Sequence, residues 1–405
     1  MPSREQIVHE SPVELSVEQL RARRGKKWGD HEPDVYPAWV ADMDFLTAEP
    51  IRQALQDMAE DADFGYSSQP NEVPKVFAAR MEAAYGWSIR ADHTVLVVDL
   101  VQGVTAALLA FSRSGDGVVL MSPSYPPLVG AVQATGRRLV DVPLVNNSGR
   151  YEVDFAGLHA ALARDDVSVL LICNPHNPTG RVFDRSELAR IAAAADRANV
   201  TVVSDEIHCD LVYPDAAFVP FATVHPAVAA HTVSLHSATK SFNLGGLRCG
   251  IVHLGSATLM QRFTAAHPDR ILGRPNIFGA LATTVAWRQG QPWLDSVRER
   301  LQENRDAVQR WVDRTPGVSS HAPEGTYFAW LDCTRLGLDE PASGFFLREG
   351  RVAMSPGEDF GDDYRSFARL NFAMSPTILA EILSRMDSAI SGIHPDVTAT
   401  LTTPT

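Results

Sequence analysis

The sequence predicts an α/β protein built on a sheet of mostly parallel strands, and three observations carry that prediction. Short runs of valine, leucine and isoleucine without polar alternation recur at 94–98, 118–121, 167–173, 200–204, 233–235 and 249–254, the pattern of strands covered on both faces. Helix-like segments stand between them, as at 102–111 and 185–198. After Gln291 the character changes: 293–312 reads as one long amphipathic helix, followed by short strands near 326–331 and 367–371.

Strand–helix alternation sustained over about 200 residues places ligands at the carboxyl ends of the strands. The helix at 185–198 has its start signal in Asp184 or Ser186, residues whose side chains satisfy the first free amides. Gln102-Gly103-Val104 reads as the start of a helix after the first long strand, a place where backbone amides and the helix dipole bind phosphate. The expected organisation is a segment at 1–45 that joins the smaller domain, a large domain at 46–290, a smaller α+β domain at 291–395 and a disordered threonine-rich tail at 396–405. No internal repeat and no nucleotide-binding glycine fingerprint is visible.

Composition narrows the function classes. With 405 residues, 45 % apolar and 21 % charged content, the chain has material for a large core. Its formal charge of −13 disfavours nucleic-acid backbones and anionic membrane surfaces as partners. No apolar run reaches the roughly 18 residues that span a bilayer, and the opening Met1-Pro2-Ser3-Arg4-Glu5 leads into no signal-peptide core. Four cysteines, Cys173, Cys209, Cys249 and Cys333, stand without paired spacing, which reads as reduced thiols in the cytoplasm.

Chemistry concentrates around Lys240. It lies in Ser237-Ala238-Thr239-Lys240-Ser241-Phe242-Asn243, followed by Leu244-Gly245-Gly246-Leu247-Arg248. A lysine bracketed by hydroxyls and glycines, with an arginine close behind, suits an amine that holds an aldehyde cofactor as an imine while Ser237, Thr239 and Arg248 hold a phosphate. Such a cofactor, pyridoxal phosphate, needs a carboxylate against its pyridine nitrogen, and Asp205 ends a predicted strand one strand earlier. Read alone, Asp205 fits a turn cap better; beside Lys240 the cofactor role prevails. Asn174-Pro175-His176-Asn177-Pro178-Thr179-Gly180 closes another buried strand in a stiff turn, from which the Asn177 amide can donate to a ring oxygen. Tyr125 either stacks on a ring face or sits as a surface tyrosine in a proline-rich loop.

In this order and approximate spacing, Asn177, Asp205, Lys240 and Arg248 resemble the pyridoxal-phosphate enzymes of fold type I, the aspartate aminotransferase superfamily, over roughly residues 30–390. The resemblance implies a mostly parallel seven-stranded sheet covered by helices, with a small α+β domain. It also implies Lys240 as the cofactor-bearing lysine, Asp205 on the pyridine nitrogen, Asn177 on the ring oxygen, and Gly103, Val104, Ser237, Thr239 and Arg248 around the phosphate. Arg369, in Arg369-Leu370-Asn371-Phe372-Ala373, matches the arginine that takes a substrate carboxylate by a bidentate fork; its plainer reading is a domain-interface salt bridge.

Three segments narrow the branch. Trp39-Val40-Ala41-Asp42-Met43-Asp44-Phe45, Phe64-Gly65-Tyr66-Ser67 and Ser204-Asp205-Glu206-Ile207-His208-Cys209-Asp210 all resemble the cystathionine β-lyase, or carbon–sulfur lyase, branch. His208 stands where ordinary aminotransferases carry a tyrosine. Tyr66 matches a tyrosine that reaches the neighbouring subunit's phosphate, so a homodimer with shared sites is implied. Trp39, Tyr66 and Tyr125 are expected as apolar walls, with Trp39 and Asn177 beside Arg369 at the substrate. No metal is expected: Glu206, His208 and Asp210 lack a further ligand cluster.

The resemblance implies β-elimination from cystathionine or another cysteine S-conjugate, giving thiol, pyruvate and ammonia. An aminotransferase is the alternative, as is a specialised member of secondary metabolism that cleaves an unusual S-conjugate or turns to decarboxylation or oxidative deamination. Thr105, where a second valine is common, and the run Asn371-Phe372-Ala373-Met374 depart mildly from the branch pattern and keep those readings open. A non-catalytic regulator is disfavoured, because Lys240, Asp205 and Arg369 are all present and the residues before Asp30 are too few for a helix-turn-helix domain.

Overall fold

A computed structural model describes residues 12–62, 64–66, 72–268 and 272–393; the tail at 396–405 lies outside them. In chain order the strands are β1 Tyr36–Ala38, β2 Thr94–Val97, β3 Gly117–Leu120, β4 Arg138–Asp141, β5 Val145–Asn147, β6 Arg150–Glu152, β7 Val167–Cys173, β8 Thr201–Asp205, β9 Thr232–His236, β10 Gly250–Leu254, β11 Phe328–Asp332, β12 Val352–Pro356 and β13 Phe367–Asn371.

Seven of them form one sheet in the order β2-β10-β9-β8-β7-β3-β4. Strands β9, β8, β7, β3 and β4 run parallel, and β10 is antiparallel to both of its neighbours. The sequence-predicted strands are therefore present, and the sheet is mostly parallel as expected. Burial explains their composition. Alternate residues of β7 enter opposite cores: Leu170 and Ile172 pack with Leu188, Ile191 and Ala195, whereas Val169 and Leu171 pack with Val104, Leu108 and Phe111. Apolar side chains are needed on both faces, so polar alternation disappears.

The helix Arg185–Ala198 starts where the sequence places it. Asp184 accepts from the amides of Ser186 and Glu187 while Glu187 returns a bond to the Asp184 amide, a closed capping box. The helix predicted from Gln102 begins two residues earlier, at Leu100, with Asp99 as its cap. That shift matters at the site below.

A second sheet has the order β1-β12-β13-β11. Strand β1 lies parallel to β12, so the N-terminal segment supplies the edge of a sheet otherwise built from residues after 327. The helix Gln291–Arg314 buries Leu294, Val297, Leu301, Val308 and Trp311 along one stripe, the spacing an amphipathic helix requires. No described helix is long and apolar enough to cross a membrane.

Between the two sheets runs the segment 39–44, tied down by charge. Asp44 is buried and accepts from Lys27 Nζ at 2.8 Å and Trp28 Nε1 at 2.9 Å; Lys27 also donates to the Asp42 carbonyl. Removing one member of a buried pair strands the other in a low-dielectric interior. Asp44→Ala is expected to cost about 3 kcal/mol or more in chemical denaturation. A Lys27→Met, Asp44→Leu double variant should recover a large part of that loss.

Candidate active site

A cavity of about 250 Å³ opens at the carboxyl ends of β7, β8 and β9. Lys240 sits in the short helix Ala238–Ser241, whose first turn is capped by Ser237 Oγ accepting from the Thr239 amide. Its Nζ donates to the Ala41 carbonyl at 3.1 Å. Burial lowers the lysine's pKa, reinforced by the Arg369 cation and opposed by Asp42 and Asp205. A buried amine of this kind reaches its neutral, nucleophilic form more readily.

Asp205, the last residue of β8, is also buried, and burial raises its carboxyl to about 6 against the pull of the Ile207 amide and His236. Asn177 follows β7 and faces the same cavity. Its Oδ1 accepts from Arg369 Nη1 at 2.8 Å, which directs the donor end of the amide away from the guanidinium. Tyr125 lines the cavity, with burial raising its phenol. His208 lines it too, edge-on to Tyr327 and Phe328. Burial, with the Lys240 and Arg369 cations, lowers His208 to about 3, so it is a neutral imidazole at physiological pH.

Arg369, on β13, reaches across from the second sheet. Its Nη2 donates to the Trp39 carbonyl and to Ser355 Oγ, both at 3.0 Å, and its Cζ lies 4.1 Å from the centroid of the Phe328 ring. Its Nε is buried with no hydrogen-bond partner, an unsatisfied donor of the kind a carboxylate would complete. Burial lowers this arginine to about 10. The domain-interface reading is thus half right: Arg369 does bridge elements, but through carbonyl, hydroxyl and amide oxygens rather than a carboxylate.

At the other end of the cavity Ser237 Oγ lies 2.8 Å from Thr239 Oγ1 and donates to the Cys249 carbonyl. Arg248 is held at φ +48°. The helix Ile277–Gln289 crosses directly beneath at Gly279, where any Cβ would collide with the Leu247 carbonyl.

Two sequence-based assignments need correction. Gly103 and Val104 do not offer amides to the cavity. The helix starts at Leu100, so the Gly103 amide already donates to the Asp99 carbonyl and Val104 is fully buried. Gly103 serves packing instead, since a Cβ there would press within 3.1 Å of Val252 and 3.2 Å of Leu235. The residues that line the cavity at this helix start are Asp99, Leu100 and Val101. Trp39 contributes its carbonyl rather than an apolar wall: the indole donates to the Lys27 carbonyl and lies beside Lys26 and His31. Tyr66, expected to reach a neighbouring subunit, is wholly exposed in the single chain and lines no part of that chain's own cavity.

Glu206, His208 and Asp210 point to separate partners. Glu206 accepts from Ser204 and the Phe221 amide and lies 3.0 Å from His236 Nε2, whereas Asp210 accepts from Arg80 and Tyr85. Sequence reasoning missed Asp99, Ser355 and the Ala41 carbonyl. Only Asp99 carried a signal, the D-x-x-Q spacing to Gln102 ahead of an apolar run.

An amine, a carboxylate, an amide donor, a carboxylate-binding arginine and a hydroxyl–arginine–helix-start cradle are the donor set that pyridoxal phosphate and an amino acid require together. The sequence profile described as aminotransferase class I and II matches residues 40–386. The chain belongs to that family. A Mycobacterium tuberculosis protein provisionally named cystathionine beta-lyase is 36 % identical over 404 residues, covering 93 % of this chain and 97 % of the relative. The cystathionine beta-lyase PatB of Bacillus subtilis is 31 % identical over 360 residues, covering 88 % of this chain and 93 % of PatB. Among solved structures, cystalysin of Treponema denticola, which contains pyridoxal 5'-phosphate, superimposes with TM-score 0.89 at 26 % identity, covering 96 % of this chain and all of that one.

The raised Asp205 carboxyl gives a pH test. Its folded value near 6 lies above the ordinary carboxylate value, so native apoprotein binds this proton more tightly than unfolded chain does. The resulting stabilisation is present below about pH 4 and is lost as pH rises through about 6. Asp205→Asn has no such loss. The melting temperature of the apo variant relative to wild type should therefore rise from about pH 5 to about pH 8 in calorimetry. A constant difference would show that Asp205 is not the buried titrating group.

Proposed function

We propose that this protein is a pyridoxal-phosphate-dependent carbon–sulfur β-lyase that cleaves cystathionine or another cysteine S-conjugate to a thiol, pyruvate and ammonia. The observation that carries the reading is the convergence of Lys240, Asp205, Asn177 and Arg369 on one buried cavity, in a chain whose relatives at 36 % and 31 % identity are named cystathionine beta-lyases.

Lys240 is the residue to hold the cofactor's aldehyde carbon, Asp205 its pyridine nitrogen and Asn177 its ring oxygen. Ser237, Thr239, Arg248 and the amides that open the helix Leu100–Phe111 are the groups to hold its phosphate. Once bound, pyridoxal phosphate supplies an electron sink for negative charge at the amino acid's α-carbon. Arg369 fixes the α-carboxylate with the donor that has no partner within the protein. The Lys240 amine, lowered by burial, takes the α-proton as general base. The Cβ–S bond then breaks with its electron pair on sulfur, which takes up a proton and leaves as thiol. The three-carbon remainder hydrolyses to pyruvate and ammonia.

The active assembly in this proposal is a cytoplasmic homodimer. Tyr66 and Phe64 are exposed aromatics on one short segment, a placement that supports Tyr66 facing the partner's phosphate. The four buried free cysteines fit a reducing compartment. The proposal divides the chain into a cofactor-holding part at 46–290 and a part at 291–395, joined by 1–45, that carries Arg369.

The test is product analysis of holoenzyme with L-cystathionine and, separately, an S-alkyl cysteine, without any keto acid. Equimolar release of thiol, pyruvate and ammonia over many turnovers is the expected result, and Lys240→Ala should reduce it by at least about 10³-fold, as loss of a general base that is also the cofactor's anchor requires. Product that appears only after an α-keto acid is added would establish transamination instead.

A further inference from the structure

The cradle expected to take the cofactor phosphate already holds an anion. Asp99 Oδ1 accepts from the Gln102 amide at 2.9 Å, at the open start of the helix Leu100–Phe111. Its Oδ2 accepts from Arg248 Nη1 at 2.8 Å. Both Asp99 and Arg248 line the cavity together with Leu100, Val101, Ser237 and Thr239. A helix-start amide and a guanidinium are the two kinds of donor that recognise a phosphate, and here one carboxylate occupies both. Gln102 is itself fixed, because its side chain accepts from the Val98 amide and donates to the Leu272 carbonyl.

We propose that Asp99 is an internal competitor of the cofactor phosphate and sets a deliberately weakened, readily reversible hold on pyridoxal phosphate. The proposal rests on the reading of this cavity as the pyridoxal-phosphate site. The ion pair is partly exposed, with Arg248 at 60 % and Asp99 at 38 % side-chain exposure, so water screens it and an incoming phosphate can break it. The carboxylate nevertheless stays tethered at the helix start. A phosphate carrying roughly −1.5 to −2 charge must share Arg248 and the amide row with a like charge alongside, an arrangement that costs affinity. A neutral cap would keep the helix start satisfied without that repulsion.

Asp99→Asn makes this separation, since asparagine and aspartate cap helices about equally well; Asp99→Ser provides a second neutral cap. Full-length apoprotein of each form is titrated with pyridoxal phosphate, with pyridoxal, which lacks the phosphate, and with inorganic phosphate. Uptake of the two aldehydes is read from their absorption, and inorganic phosphate from its competition with pyridoxal phosphate. The expected result is that both variants bind pyridoxal phosphate about ten-fold more tightly and inorganic phosphate more tightly as well, with pyridoxal unchanged. Weaker binding of pyridoxal phosphate by the variants would overturn the proposal and make Asp99 a scaffold that aims Arg248 at the phosphate. Unchanged binding, or an equal gain for pyridoxal, would overturn it as well. Wild-type protein that takes up neither aldehyde would sink the cofactor assignment itself, and this proposal with it.

Discussion

The segment 39–44 is the constraint on which the rest of the site depends. Its backbone carbonyls face inward, and side chains from every neighbouring element come to them. Ala41 accepts from Lys240 and from the Tyr327 hydroxyl, and Trp39 from Arg369 and Ser355. Val40 and Asp42 both accept from the Asn371 amide. Asn243 closes the remaining side by exchanging bonds with both backbone groups of Met43. The amine from the large sheet and the guanidinium from the small sheet are thus positioned against one strip of backbone. The buried Lys27–Asp44 pair fastens that strip from behind.

Burial then does the electrostatic work. Four titratable groups around the cavity are pushed toward their neutral forms: Lys240 down, Asp205 up, His208 down and Arg369 down. Lys240, Asp205 and Arg369, buried in this way, gain most from a ligand that carries the opposite charges. In the proposed function the pyridinium and the carboxylate of a cofactor–substrate pair meet that description at Asp205 and Arg369. His208, held neutral, sits edge-on to Tyr327 and Phe328 beside the lysine.

Much of this was legible in the sequence, for physical reasons. Strands β3 and β7 to β10 are covered on both faces and rich in valine, leucine and isoleucine, which made them easy to read. Strand β4 lies at the sheet edge, with Arg138 and Asp141 exposed, and the short apolar run of β12, Val352–Met354, is cut off by Ser355 and Pro356. The lysine, aspartate and asparagine motifs are local, and each follows a buried strand, so the cavity they share followed from topology. What stayed hidden depends on backbone. No residue type announces that Ala41 or Trp39 acts through its carbonyl. The Gly103 signal misled because a glycine after a strand serves close helix–sheet packing as readily as it serves a phosphate turn, and only the true helix start at Leu100 separates the two.

The site rests on a fixed backbone template to which the ligands are fitted, and a crystal structure of the holoenzyme with a bound amino-acid carboxylate tests that most directly. The result it predicts is a segment 39–44 displaced by no more than about 1 Å. Arg369 should retain the Trp39 carbonyl and Ser355 while its Nε takes up the carboxylate, and Lys240 should give up the Ala41 carbonyl for the cofactor. A segment that swings away, with Arg369 released from Trp39 to reach the ligand, would contradict it and make this strip a mobile lid.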